Sequence, residues 1–158
     1  FKGMFVTAVF GKLNIKTGEL VFINAGHESI LTFDQNKNYE YIKSDMPPIG
    51  IIKYFTESMV KSNTINLKDK TFVVYTDGVT EGYLKNGQEL GAEGVQKIVT
   101  DLNIISPKVL VDTIAEQLNW GAEKLRDDIT CLALDLKNTE LLKPVKKKRP
   151  EITEENKN

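Results

Sequence analysis

The segment Thr71-Phe72-Val73-Val74-Tyr75-Thr76 constrains the fold most, because almost every residue in it is β-branched or aromatic. Such a run reads as a strand buried on both faces. It ends abruptly at Asp77-Gly78. A carboxylate at the end of a buried strand needs a partner, since an unpaired buried charge is very costly. A divalent cation is one such partner, and a plain turn cap is the alternative. Gly78 is expected to let the backbone turn sharply and come close to a ligand.

Other segments surround this strand with antiparallel partners. Phe5 to Asn14 and Leu20 to Ala25 flank the turn signal Thr17-Gly18, which predicts a hairpin. Ser29 to Phe33 and Tyr39 to Ile42 flank Asp34-Gln35-Asn36-Lys37-Asn38 and predict a second one. Met46-Pro47-Pro48-Ile49-Gly50 is a loop, because two prolines and a glycine stop regular pairing. Phe55 to Leu67 is expected to carry a further strand, followed by the polar turn Lys68-Asp69-Lys70.

Two helices come next. Val95, Ile98, Val99 and Leu102 fall at helical spacing. Ser106-Pro107 reads as an N-cap followed by proline in the first turn. Val111, Ile114, Ala115 and Leu118 give the second helix its predicted buried stripe, with Gly121 as its stop. Ile129 to Leu136 is the last predicted strand. Over residues 137–158 the apolar pattern fades, and a polar, disordered tail is expected. Its basic run, Lys146-Lys147-Lys148-Arg149, is partly offset by Glu151, Glu154 and Glu155.

Composition removes several function classes. A chain of 158 residues suffices for one domain with a core. Its net charge of -1 gives no broad electrostatic reason to bind nucleic acid. No stretch is long and apolar enough to cross a bilayer. Cys131 is the single cysteine, so an internal disulfide is impossible, which fits a reducing compartment. A cytoplasmic location is expected, either free or as the cytoplasmic domain of a larger sensor protein. The opening Phe1-Lys2-Gly3-Met4-Phe5-Val6 reads as the entry to a strand, so a fragment with an upstream neighbour is expected.

The chemistry-bearing residues are few. Asp127 and Asp128 are adjacent, just before the last strand, and repel unless a cation or base lies between them. Arg126 is one candidate for that role. The other reading is a metal ligand with a hydrogen-bonding neighbour. Hard ions such as Mg²⁺ and Mn²⁺ prefer carboxylate oxygen. One histidine and one cysteine far apart do not make a zinc site. His27, in Asn24-Ala25-Gly26-His27-Glu28, is either a general base or a turn histidine bonded locally. No serine nucleophile motif and no phosphate-cradling glycine loop occurs.

Taken in order, these segments resemble a known family. Phe5-Val6-Thr7, Thr17-Gly18-Glu19-Leu20, Asn24-Ala25-Gly26-His27 and Pro48-Ile49-Gly50 are followed by Tyr75-Thr76-Asp77-Gly78-Val79-Thr80-Glu81 and Arg126-Asp127-Asp128-Ile129-Thr130. The series is similar to bacterial sporulation-type and stress-regulator phosphatases, a branch of the type 2C metal-dependent protein phosphatases. The likeness covers residues 4 to 136.

It implies an α+β fold, a four-layer αββα sandwich of two antiparallel sheets flanked by helices. Residues 1–136 would be the C-terminal part of such a domain. It implies hydrolysis of phosphoserine or phosphothreonine on a regulatory partner, often an anti-sigma-factor antagonist in this branch. The cofactor implied is a binuclear Mn²⁺ or Mg²⁺ centre, with metals about 3.5–4 Å apart and a bridging water as nucleophile. Asp77 and Asp127 are implied as ligands of one metal, with Gly78 and Asp128 in supporting positions around them. Thr76 and Glu81 are read as structural supports.

The family's earlier Asp-Gly, whose aspartate bridges both metals, and the histidine that follows it do not occur in this chain; His27 belongs to a different segment. The competing reading is a noncatalytic phosphatase-like module that binds partners. Self-association is also expected, because a sandwich without its N-terminal strands exposes sheet edges.

Overall fold

The computed structural model describes residues 3–103, 106–118 and 128–137. Both predicted hairpins form. Strand β1 (Ala8–Leu13) pairs with β2 (Glu19–Ala25), and β3 (Ile30–Phe33) pairs with β4 (Tyr39–Ile42). The short β5 (Asn63–Asn66) adds to β2, giving a three-stranded sheet in the order β1-β2-β5. The predicted central strand is β6 (Thr71–Tyr75). It lies between β3 and β7 (Cys131–Leu134) in a four-stranded sheet ordered β4-β3-β6-β7. Every ladder in both sheets is antiparallel.

Strand alternation explains how this sheet covers two cores. Leu31, Phe33, Val73 and Tyr75 face two helices, α2 (Gly91–Asp101) and α3 (Pro107–Gln117). Val95, Val99, Leu110 and Ile114 meet them there, all essentially inaccessible to solvent. Ile30 and Phe72 point the other way. They pack on Leu20, Phe22 and Leu67 between the sheets, with the rings of Phe22 and Phe72 edge to face at 5.0 Å. The doubly buried run read from the sequence is therefore the wall shared by both cores. Two antiparallel sheets with helices packed outside form the expected α+β sandwich.

Several details differ from the sequence reading. The strand expected within Phe55 to Leu67 shrinks to β5, and Glu57–Met59 form a 3-10 turn. Phe55, Met59 and Val60 are exposed, so the first half of that expected strand segment lies on the surface. The stripe of α3 is Leu110, Ile114 and Leu118, not one starting at Val111. The described helix ends at Gln117; Gly121 lies outside the described residues. Lys137, first residue of the expected tail, packs on the sheet, where its ammonium donates to Thr71 Oγ1 at 2.9 Å. The rest of that expected tail lies outside the described residues.

One hydrogen bond orients the whole assembly. The Leu136 amide donates to the Leu67 carbonyl at 2.7 Å, joining the C-terminal ends of β7 and β5. With every ladder antiparallel, the C-terminal ends of β2, β4 and β6 lie at the opposite end of the sandwich. The turn at His27, the loop after β4, Asp77 and the entry to β7 thus share that end.

Candidate metal centre

Asp77 begins a four-residue helix, α1 (Asp77–Thr80), which periodicity could not reveal because it makes barely one turn. Its carboxylate is exposed, and Asp77 Oδ1 accepts the Gly78 amide at 2.9 Å. Its backbone carbonyl accepts from the Glu81 amide at 2.7 Å and from Thr80 Oγ1 at 3.0 Å. The acid is thereby fixed at the tip of the central strand with its side chain turned to solvent.

Gly78 is buried. It adopts helical backbone with no positive φ, so the expected sharp turn is not what requires glycine here. A neighbouring chain does. A Cβ at Gly78 would stand 2.4 Å from the Asp128 carbonyl oxygen and 3.0 Å from its carbon. The missing side chain is the space into which the entry to β7 fits.

Three further hydrogen bonds hold that entry in place. The Thr76 amide donates to the Thr130 carbonyl at 3.0 Å. Thr76 Oγ1 donates to the Asp128 carbonyl at 3.1 Å and accepts the Thr130 amide at 3.0 Å. Asp77 and the backbone of Asp128 are therefore neighbours, although 51 residues apart in sequence. Asp127 and Arg126 lie outside the described residues. Among the described residues no group of three or more His, Cys, Asp or Glu side chains gathers as a metal site. The described donors are carboxylate oxygens, the type that Mn²⁺ and Mg²⁺ select. The fit to such an ion thus rests on donor chemistry and on the close approach at Gly78.

His27 behaves as the turn histidine of the second sequence reading. Its amide donates to Asn24 Oδ1 at 2.9 Å, and its Nδ1 lies 3.3 Å from Thr7 Oγ1. Fully buried Asn24 closes the turn by donating to the Glu28 carbonyl at 3.0 Å. Gly26, at φ +69°, has Pro48 against the place of a Cβ, at 2.3 Å. Ser44 Oγ accepts the Gly26 amide at 2.8 Å and pins the loop across this turn. Asn24-Ala25-Gly26-His27 is thus a docking piece for the diproline loop. Cys131 is half-buried at the start of β7, and burial pushes its thiol up to about 11. It is protonated at neutral pH and offers no thiolate nucleophile.

This architecture is that of PP2C-type phosphatase domains. The fold is similar to the SiaA-PP2C domain of Pseudomonas aeruginosa, with TM-score 0.60 and 22% identity over 82% of this chain and 51% of that one. It is similar also to the phosphatase domain of the cell fate determinant SpoIIE from Bacillus subtilis, Mn presoaked. There the TM-score is 0.58 and the identity 18%, covering 82% of this chain and 55% of that one. Within that class, the chain belongs to the Stage II sporulation protein E (SpoIIE) family, whose profile matches residues 1–137. A curated relative, Protein IcfG of Synechocystis sp., is 28% identical over 135 residues, 83% of this chain and 20% of the relative. The chain spans about half of each matched structure and a fifth of that relative. Among the described residues no helix is long and apolar enough to cross a membrane.

Proposed function

We propose that this chain supplies half of the metal site of a protein serine/threonine phosphatase. Asp77 and Asp127 would hold one Mn²⁺ or Mg²⁺ ion of a binuclear centre, with Gly78 and Asp128 as their supports. When bound, such ions polarise phosphoryl oxygens and lower the pKa of bound water, making it the nucleophile. The chain's own task is to present carboxylate oxygens at the rim of the sandwich. The observation that carries the reading is the contact of the Asp77-Gly78 strand end with the backbone of Asp128, covalent neighbour of Asp127.

The proposed substrate is a phosphorylated regulatory protein, such as an anti-sigma-factor antagonist. A protein substrate is favoured by Ile51, Tyr54 and Phe55, exposed on the loop that leaves and re-enters the sandwich at the end bearing Asp77. Exposed apolar side chains near a site are a common mark of protein recognition. A cytoplasmic setting is proposed with it.

The test is Mn²⁺-dependent phosphate release from a phosphoserine protein by the full-length protein, compared with Asp77→Asn. Loss of one ligand is expected to lower kcat/KM by two or more orders of magnitude, roughly 3 kcal/mol or more of transition-state stabilisation. Activity unchanged by Asp77→Asn would leave the noncatalytic partner-binding reading in its place.

A further inference from the structure

Thr76 occupies the N-cap position of α1, where a threonine hydroxyl ordinarily accepts an amide from the first helical turn. Here it makes no such bond. Its hydroxyl turns toward the neighbouring strand instead, donating to the Asp128 carbonyl and accepting the Thr130 amide. These bonds form just where the regular ladder stops, since Tyr75 opposite Cys131 is the last register pair between β6 and β7. Beyond that point one backbone bond, from the Thr76 amide to the Thr130 carbonyl at 3.0 Å, and the two made by the Thr76 hydroxyl join the segments bearing Asp77 and Asp128.

We infer that Thr76 is the positioning residue of the metal site: its hydroxyl latches the entry of β7 to the tip of β6, setting the separation of the acidic side chains on the two chains. This rests on the metal reading given above. The chemistry of the latch is restrictive. It must donate to a carbonyl and accept from an amide at once, from a side chain one carbon long. Only a hydroxyl on Cβ meets these conditions. Valine has the same shape and neither function. Gly78 completes the arrangement from the other side, because any Cβ there would push Asp128 away. Thr76 touches neither ion nor substrate in this arrangement and acts through the backbone of its neighbours.

The experiment measures Mn²⁺ affinity of the full-length protein by calorimetry or by the electron paramagnetic resonance of free Mn²⁺. Wild type is compared with Thr76→Val, Thr76→Ser and Asp77→Asn, with thermal melting in parallel. Groups that orient metal ligands typically contribute about 10–100-fold in affinity, and Thr76→Val is expected to lose that much. Thr76→Ser is expected to retain wild-type affinity within about threefold, as it keeps the donor and acceptor. Hydrogen exchange at the Thr130 amide should accelerate in the valine variant and not in the serine one. If Thr76→Val does not fold, Thr76→Ala carries the same comparison. Wild-type affinity in Thr76→Val, with affinity lost in Asp77→Asn, overturns the latch and spares the metal reading. Equal losses in the valine and serine variants also overturn it. Unchanged affinity in Asp77→Asn removes the metal reading and the latch together.

Discussion

Small residues at the site act through what they leave room for. Gly78 stands at the crossing of two chains, and its hydrogen is all that fits against the Asp128 carbonyl. Alanine there must displace backbone, not the free end of a side chain. Gly78→Ala is therefore expected to destabilise the fold by about 1–3 kcal/mol, the usual range for forcing an extra carbon into a packed site. A shift in the urea midpoint with unchanged slope is the measurement, and an unshifted midpoint would mean that the crossing is loose. The sequence marked Asp77-Gly78 as special but assigned the glycine a sharp turn. Its actual constraint comes from residues 50 positions away, which no local pattern contains. Thr76 was hidden similarly. As the last residue of a β-branched run it reads as one more strand position, and only its outward partners set it apart.

At the level of elements, legibility followed the strength of local punctuation. The hairpins were readable because apolar and β-branched runs flank short polar turns, and in one of these Asp34 Oδ1 accepts the amides of Asn36 and Asn38. The strand expected within Phe55 to Leu67 was overextended, because scattered apolar residues such as Phe55, Met59 and Val60 carry no sign of whether they face core or solvent. Only Asn63–Asn66 find an edge to pair with, on β2. The phase of α3 was misplaced by one position at its start, with Leu110 passed over for Val111. Its N-cap was read correctly: Ser106 Oγ accepts the Val109 amide at 3.2 Å. Ser106→Ala is expected to cost about 1 kcal/mol. Leu110→Ala, which empties a site facing β-strands and helices alike, should cost about 2–5 kcal/mol. Denaturant titration of both variants checks the order, and a larger loss in Ser106→Ala would contradict the packing described for α3.

Among the described residues the molecule presents an open flank. Edge strands β1 and β7 border a cleft of about 410 Å³ between the sheets, lined by Val9, Leu13, Phe22, Val74, Leu132 and Leu134. Leu132 and Leu134 are 50% and 38% exposed although they stand opposite half-buried Val74 and buried Phe72. Among the described residues nothing pairs with the outer edge of either strand. Unpaired edges beside apolar surface favour association. The 158-residue chain is expected to self-associate, its sedimentation coefficient rising with concentration. Leu132→Lys should suppress that rise, and a constant coefficient in the unsubstituted chain would count against it.

The union of residues 76–78 with 128–130 has a temporal meaning as well as a spatial one. Helices α2 and α3 lie between these segments, so the loop they close is long, and long-range pairings are slow to form. A chain emerging from the ribosome has its first acid long before the strand that must come alongside it. The proposed metal site would then be assembled late, after the helices have docked and β7 has zipped onto β6. If the metal proposal holds, ion occupancy would report on completion of the fold.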